Sequence, residues 1–398
     1  MCYVDIWCVL CLYQAGIEAM IGLEPLEITA MENAVAASIR IKIQGGWKRE
    51  DEDRLKDFSH AKIIDDIIGA NMELMQPQDK LLNTERERSR FTVIIGERKE
   101  LNETSIRPMP LHRDKINCFT DGSKTELGAG NAYKIYSHDF SKGESNYLGI
   151  NTTVFQAEVT AITAAGIEII KQDIKEKDIK IYVDSQSALR AINSFEMRNK
   201  SVMECKKTLN KISEHNRVTL NWMPGHENHK ANIIADKMAK AGVNMNTEGQ
   251  EPRIAISKCV IKQKLKEWKK AEHERLWQDR IDCRQTKLIF PQVEHKWRRK
   301  ILNYKTEEIR ILTQIVTGHA NLKRHRYIMD MEDNPLCAKC GMEETAIHLI
   351  TECPGYVGLR IAILGRLIVQ EDSIREHPIY KILQFAVETE RWKAREPD

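Results

Sequence analysis

The sequence predicts an α/β protein whose main domain is a mixed five-stranded sheet covered by helices. Within residues 116–242, short runs rich in β-branched and aromatic residues alternate with longer segments that carry apolar residues at helical spacing. The first three predicted strands follow one another directly, whereas the last two are separated by helices, and this order indicates a mixed sheet. The stretch I-N-C-F-T-D-G-S at 116–123 reads as an apolar strand that runs into a carboxylate, a glycine and a hydroxyl.

Apolar periodicity predicts the elements of this domain in chain order. The strands are expected at residues 116–120, 129–137, 145–149, 180–183 and 218–223. The helices are expected at residues 155–171, 186–194, 202–215 and 229–242.

The rest of the chain divides into shorter segments without an internal repeat. The apolar stretch at 1–13 lacks a basic region at its start and contains Asp5, so we interpret it as a buried helix rather than a signal peptide. The predicted parts are a helical remnant of a larger region at 1–45, a charged linker at 46–115, the α/β domain at 116–245, a helical linker at 253–330, and a cysteine-rich segment with a helical tail at 331–398.

Composition indicates a globular protein. The chain is 42% hydrophobic and 30% charged, which is enough to form a core. A net charge of +3 is too small to indicate a nucleic-acid partner by itself. Ten cysteines without a compact even framework favour a reducing compartment, so we expect an intracellular protein, nuclear or cytoplasmic, that does not bind a membrane.

Four acidic residues fall where strands end or where a helix faces the core. Asp121 and Asp184 each follow an apolar strand, and a serine lies one or two residues after each of them. If the two strands are adjacent and parallel, both carboxylates reach one edge of the sheet. Glu158 lies on the apolar face of its helix, and Asp236 lies early in a helix after a loop that contains His226. Each residue alone has an ordinary structural explanation, namely a turn, a helix-start carboxylate or a solvated side chain.

Together these carboxylates indicate a metal site. Converging carboxylates repel one another unless divalent cations hold them ionised. Oxygen ligands without cysteine or histidine in the inner set favour Mg²⁺ or Mn²⁺ over zinc. Two such ions roughly 3.5–4 Å apart can activate a water and stabilise the leaving oxygen of a phosphodiester. Gly122 would let a phosphate or a metal-bound water approach the backbone.

Residues 116–242 resemble a type 1 ribonuclease H domain. The motifs F-T-D-G-S, F-Q-A-E, V-D-S-Q and P-G-H-E-N followed by A-D occur in the order typical of that family. The resemblance implies an RNase H-like fold and metal-dependent cleavage of the RNA strand of an RNA–DNA hybrid, leaving a 5′-phosphate.

The same resemblance implies a role for each site residue. Asp121 would bridge both metals, Glu158 and Asp184 would hold the ion on the leaving side, and Asp236 would hold the ion that carries the attacking water. His226 would assist product release. The expected nucleic-acid contacts come from Gly122, Ser123, Ser185, Gln186 and Asn228.

Two features depart from the family pattern. Cellular members often carry an Asn pair or Asn-Gln before the glutamate, and here Thr152-Thr153-Val154-Phe155 occupies that stretch. A basic substrate-binding insertion is represented only by Lys200, Lys206 and Lys207. Strand discrimination is therefore expected to be looser or differently built.

A cysteine and histidine cluster near the C-terminus predicts a structural zinc site. Cys337, Cys340, His348 and Cys353 have the spacing C-x2-C-x7-H-x4-C, and three thiolates with one imidazole form a closed tetrahedral ligand set for Zn²⁺. The alternative is three unrelated thiols. The basic run 323–326 is compatible with nucleic-acid contact and equally with a solvated face.

This arrangement resembles the C-terminal part of the polyprotein of insect-type non-LTR retrotransposons, in which a reverse transcriptase is followed by ribonuclease H and a Cys-Cys-His-Cys segment. The resemblance implies a reverse transcriptase region as a partner in the full-length polyprotein. Two other hypotheses stay open: a catalytically inactive nucleic-acid-binding remnant, and a DNA-directed nuclease or transposase of the same fold.

Overall fold

The computed structural model describes residues 14–43, 77–81, 83–96, 112–224, 230–245, 254–295, 297–301 and 303–392. The chain divides into two compact units. One contains residues 35–265, and we call it the sheet unit; the other contains residues 1–34 and 266–398, and we call it the helical unit.

Among the described residues the sheet unit contains the strands β1 (Glu85–Arg86), β2 (Thr92–Ile94), β3 (Lys115–Thr125), β4 (Gly128–Tyr136), β5 (Ser141–Gly149), β6 (Asp178–Val183), β7 (Glu196–Met197) and β8 (Arg217–Trp222). Six of them form one mixed sheet with the order β2-β8-β6-β3-β4-β5. The other two, β1 and β7, pair antiparallel with each other.

The prediction of five strands was wrong by one. Residues 92–94 were assigned to a charged linker, but they pair in parallel with β8 and extend the sheet. This strand has only three residues, and the short apolar run 91–95 that contains it lies within a highly charged stretch, so it shows too little of an alternating pattern to be recognised. Phe91 next to it is buried in the main core. At least this part of 46–115 therefore belongs to the fold.

The remaining elements are helices, some of which pack on the strands of the sheet unit. In chain order they are α1 (Leu26–Ile43), α2 (Val154–Lys171), α3 (Gln186–Asn193), α4 (Lys200–Ile212), α5 (Lys230–Asn244), α6 (Lys258–Asp279), α7 (Arg284–Ile289), α8 (Trp297–Ile301), α9 (Thr306–Thr317), α10 (Lys323–Ile328), α11 (Ala346–Thr351), α12 (Val357–Leu364) and α13 (Ile379–Glu388). Residues 14–21 are also helical. Helix α2 buries Val159, Ile162 and Ile169 against the strand residues Cys118 and Ile181.

The helical unit has a core of its own. Ile311 and Leu312 of α9 pack in one cluster with Leu349 of α11 and Phe385 of α13. Residues of the predicted helical linker 253–330, among them Ile311 and Leu312, therefore share a core with the C-terminal segment. Amphipathic helices of this length look alike in sequence whether they cover a core or connect domains.

No helix among the described residues has the length and the apolar composition that crossing a membrane requires.

Candidate active site

The register of two parallel strands brings Asp121 and Asp184 together. Thr120 of β3 pairs with Val183 of β6, so the next residue on each strand is one of the two aspartates. This confirms the prediction that both carboxylates reach one edge of the sheet. The main chain at Asp184 is held by Trp222, whose indole N–H donates to the Asp184 carbonyl at 2.9 Å.

Helix α2 supplies the third carboxylate. Thr153 caps this helix, with its side chain accepting from the amide of Gln156. Glu158 in the following turn is only 4% exposed. The capping box and the apolar face behind it explain why the helix begins here and why the glutamate points inward.

Gly122 lets α2 approach β3 closely. A Cβ atom at this position would lie 2.5 Å from the amide nitrogen of Glu158 and 2.7 Å from the carbonyl carbon of Ala157. Real Cβ atoms do not come this close to backbone, so only glycine fits. The helix fills the space that the sequence suggested for a phosphate or a metal-bound water, and the structure therefore assigns Gly122 to packing.

The three carboxylates form one cluster. One oxygen each from Asp121, Glu158 and Asp184 lies within 4.8 Å of the others. Asp121 and Glu158 are buried and Asp184 is half-buried. The Oε2 atom of Glu158 is buried and has no hydrogen-bond partner among the described residues. Hard oxygen ligands with an unsatisfied buried oxygen fit a divalent cation.

Crowding raises the proton affinity of this cluster. Burial, followed by the charges of Asp184 and Asp236, raises the pKa of Asp121 to about 7. Burial also raises the pKa of Glu158 well above its usual range, with further contributions from Asp184 and Asp121. The amide of Gly122 partly opposes both shifts. A bound cation would remove this cost by stabilising the ionised forms.

Three further residues were predicted at this site, namely Asp236, His226 and Asn228. Asp236 lies in α5 outside the three-carboxylate cluster, and its carboxylate accepts from Lys240 Nζ at 2.8 Å. Its charge still reaches Asp121, whose pKa it raises. His226 and Asn228 lie outside the described residues.

The predicted nucleic-acid residues beside the cluster are partly accessible. Ser123, Ser185 and Gln186 are all half-buried. Ser185 caps α3 by accepting from the amide of Ala188 at 3.3 Å. Gln186 accepts from Arg190 at 3.2 Å.

The residues that depart from the family pattern have structural roles. Thr152 is buried and its hydroxyl donates to the Leu148 carbonyl at 2.7 Å, while Thr153 begins α2. Lys206 is fully buried and its ammonium donates to the Ser194 carbonyl at 2.7 Å, so it does not supply a substrate-binding charge. In the helical unit, Arg324 and Arg326 pair with Glu343 and Glu332.

The four cysteine and histidine residues also form one cluster. Their ligand atoms lie within 4.8 Å of one another. Sγ of Cys353 is 3.9 Å from Sγ of both Cys337 and Cys340, and Cys340 Sγ is 3.1 Å from Nε2 of His348. Disulfide sulfurs would be about 2.05 Å apart, whereas tetrahedral ligands at about 2.3 Å from a metal are separated by about 3.8 Å. The spacing fits a tetrahedral metal.

Local structure orients each of these ligands. Gly341 has φ +74°, and its amide donates to the Cys337 carbonyl at 2.8 Å, which closes the turn between the two cysteines. His348 Nδ1 lies 3.3 Å from a carboxylate oxygen of Glu352, which leaves Nε2 to face the sulfurs. The buried guanidinium of Arg360 donates to the carbonyls of Ile350 and Cys353 at 2.9 Å.

Several supporting residues were not found from the sequence. Trp222 and Arg360 donate to main-chain carbonyls elsewhere in the chain, and Glu352 lies beside the ring of His348, one helical turn away. No local motif marks these three residues. Only the i to i+4 spacing of His348 and Glu352 could have indicated a pair on one helix face.

The part of the chain that contains the carboxylate cluster is similar to known proteins. Residues 113–244 match the RNase H family. The ribonuclease H of Orientia tsutsugamushi is 26% identical over 141 residues, which are 32% of this chain and 81% of that protein. The ribonuclease HI of Rickettsia conorii is 29% identical over 159 residues, 36% of this chain and 97% of that protein.

Among solved structures, the N-terminal RNase H domain of a Mycobacterium tuberculosis protein, fused to maltose-binding protein, is 15% identical. The match covers 32% of this chain and 98% of that one, with a TM-score of 0.28. On the family match and its relatives, residues 113–244, which contain the clustered carboxylates, form an RNase H domain.

Proposed function

We propose that residues 113–244 hydrolyse the RNA strand of RNA–DNA hybrids with the help of divalent cations. The observation that carries this proposal is the cluster of Asp121, Glu158 and Asp184, whose oxygens lie within 4.8 Å of one another at one sheet edge. The RNase H relatives support the reaction class and the hybrid substrate.

The carboxylates would hold two Mg²⁺ or Mn²⁺ ions. Such ions supply a water nucleophile at neutral pH and stabilise the charge that develops on the leaving oxygen. Asp121 is proposed to contact both ions, with Glu158 and Asp184 on the leaving side. The buried oxygen of Glu158 supports this assignment because it needs a partner and finds none among the described residues.

Asp236 is proposed to complete the side from which water attacks. Its carboxylate is paired with Lys240, and both charges influence the pKa of Asp121. The ammonium of Lys240 neutralises Asp236 in the structure, and a cation held by Asp236 would take over that role. His226 is proposed to assist product release. The expected products carry a 5′-phosphate, as in type 1 enzymes.

Ser123, Ser185 and Gln186 are proposed to contact the hybrid beside the carboxylates, together with Asn228. Gly122 is not part of this proposal because α2 covers it. Thr152–Phe155 stands where cellular ribonucleases H often carry an Asn pair or Asn-Gln, and Lys206 is buried. We therefore expect weaker discrimination of the RNA strand than in those enzymes.

The cysteine and histidine cluster is proposed to bind one structural Zn²⁺. Three sulfurs and one imidazole form a closed set that leaves no position for substrate. Zinc here would stabilise the turn at 337–341 against α11 within the helical unit.

The domain context is proposed to be a retrotransposon polyprotein with a reverse transcriptase region. The alternative is a catalytically inactive remnant that binds nucleic acid. The replaced Asn stretch favours this alternative, whereas the intact carboxylate cluster favours the enzyme.

Cleavage of a labelled RNA–DNA hybrid distinguishes the two. The full chain is incubated with Mg²⁺ and the hybrid, duplex DNA or duplex RNA, beside an Asp121→Asn variant. We expect only the hybrid to be cut, and only by the wild type. Binding of the hybrid without cleavage in both Mg²⁺ and Mn²⁺ would support the inactive remnant.

A further inference from the structure

A buried polar network joins two segments outside residues 113–244 to the helix that carries Glu158. Its members are Asp79, Gln156, Ser201 and the main-chain carbonyl of Ala255, and we call it the Asp79 network. Asp79 is 3% exposed and Gln156 is 1% exposed. All four residues belong to the sheet unit.

Asp79 caps α4 in place of the residue at the helix start. Asn199 occupies the cap position but makes no side-chain cap hydrogen bond. Instead the Ser201 amide donates to Oδ1 of Asp79 at 2.9 Å, and the Ser201 hydroxyl donates to Oδ2 at 2.7 Å. A carboxylate at a helix N-terminus satisfies free amides and interacts favourably with the helix dipole. Residue 79 is thereby fixed to α4.

The same carboxylate reaches α2 through Gln156. Nε2 of Gln156 donates to Oδ2 of Asp79 at 3.1 Å and to the Ala255 carbonyl at 2.8 Å. Its Oε1 atom accepts from the amide and the hydroxyl of Thr153 at 3.2 and 3.1 Å. Both donors and both lone pairs of the side-chain amide are used, so this buried group has one orientation.

The two outer segments also pair with each other. The Asp79 amide donates to the Ile256 carbonyl, and the Ile256 amide donates to the Pro77 carbonyl, each at 2.8 Å. Ile256 is buried. These bonds join the two segments to each other, and the bonds of Gln156 join both segments to the start of α2.

The start of α2 sets the position of Glu158. Glu158 follows Gln156 by two residues, and its amide nitrogen is the atom that a Cβ added at Gly122 of β3 would meet first. A displacement of this turn changes the distance between Glu158 and Asp121. Catalytic groups misplaced by about 1 Å can lose about a hundredfold in rate.

We propose that the functional RNase H unit includes residues 77–81 and 254–257, and that Asp79 is a positioning residue for Glu158. This inference rests on the proposed function, because its catalytic readout is hybrid cleavage. It goes beyond the family match, which begins at residue 113 and ends at 244.

The test is an exchange of donor and acceptor in the full chain. Gln156→Glu keeps the acceptor for Thr153 but sets a second acceptor against Asp79 and Ala255. We expect kcat to fall about tenfold and the Mg²⁺ concentration for half-maximal rate to rise several-fold, with KM for the hybrid within about twofold. Adding Asp79→Asn returns a donor to the pair, and we expect it to recover a several-fold part of the lost kcat.

Asn210→Ala is the matched control. Asn210 joins the upstream residues 87–90 to the same helix α4, through Glu87 at 2.7 Å and Arg90 at 2.8 Å, without a hydrogen bond to α2. We expect this variant to melt at a lower temperature with kcat and Mg²⁺ dependence within about twofold of wild type. If it changes both as much as Gln156→Glu does, or if the double variant recovers nothing, the positioning role is overturned.

Hydrogen exchange separates this inference from the proposed function. If the wild type cuts no hybrid, the proposed function fails, and amide exchange at residues 154–158 then decides the network. Exchange faster by about tenfold in Gln156→Glu, but not in Asn210→Ala, supports it. Equal exchange in both variants overturns it.

Discussion

Replacing Asp121 with asparagine is expected to stabilise the metal-free sheet unit at alkaline pH while abolishing cleavage. Burial and the nearby acidic groups raise the pKa of Asp121 from an ordinary 3.8 to about 7. Between these values the folded state holds a proton that the unfolded chain has released. Stability therefore falls as pH rises, by about 1.4 kcal/mol per pH unit. Asparagine cannot ionise and avoids this loss.

The expected magnitude follows from the part of the pH range below the folded-state pKa. From pH 5 to the pKa near 7, wild-type stability falls by about 3 kcal/mol through this group, and above it the loss stops growing. The difference in free energy of unfolding between Asp121→Asn and wild type should therefore increase by about 3 kcal/mol from pH 5 to pH 8, in favour of the variant.

Urea unfolding of the full chain in EDTA measures this difference. Pulsed hydrogen exchange, read in peptides from β3 and α2, assigns the transition to the sheet unit. Added Mg²⁺ should stabilise the wild type at pH 8 and leave the variant unchanged. A stability difference that does not depend on pH would refute the reasoning, because Asp121 would then ionise as it does in the unfolded chain.

Three further predictions concern other residues. Gly122→Ala should destabilise the sheet unit by about 2 kcal/mol and reduce cleavage at least tenfold, because its Cβ would meet the backbone of α2. Urea unfolding and cleavage assays measure both effects. Gly358→Ala is the control, because a Cβ at that position meets nothing within 4 Å. Lys240→Met should lower the Mg²⁺ needed for half-maximal cleavage a few-fold, with stability changed by less than about 1 kcal/mol, since the exposed pair with Asp236 contributes little; an unchanged Mg²⁺ titration would show that the ammonium does not compete. Cys340→Ser should abolish binding of one Zn²⁺ per chain, measured with a colorimetric chelator, and lower the melting temperature of the helical unit; full zinc retention would exclude Cys340 as a ligand.

Much of the sheet could be predicted because its signals are local. The strands β4, β6 and β8 and the helices α2 and α3 lie within two residues of the predicted bounds, whereas β3 continues to Thr125, five residues beyond its predicted end, because it also pairs with β4. Apolar alternation and caps such as Thr153 act over one or two turns, and they are visible in the sequence. The parallel register of β3 and β6 then places Asp121 beside Asp184 without further information.

The parts that were missed depend on contacts between distant residues. The strand Thr92–Ile94 is too short to show a period, and it is defined by its pairing with β8. Gly122 was assigned to ligand approach, although α2 occupies its open side, since a glycine that follows a strand carboxylate looks the same in either role. Lys206 was read as an accessible charge, but its ammonium is buried against the Ser194 carbonyl. Asp79 had no motif at all, because its partners lie at 156 and 201.

The chemical ends of the cleaved RNA test the central claim most directly. If Asp121, Glu158 and Asp184 hold cations as proposed, water attack assisted by these cations predicts fragments with a 5′-phosphate and a 3′-hydroxyl, formed in Mg²⁺ and not in EDTA. Mass spectrometry of the fragments from a hybrid identifies both ends. Fragments that carry a 2′,3′-cyclic phosphate, or that form equally well in EDTA, would contradict metal-dependent hydrolysis at this cluster.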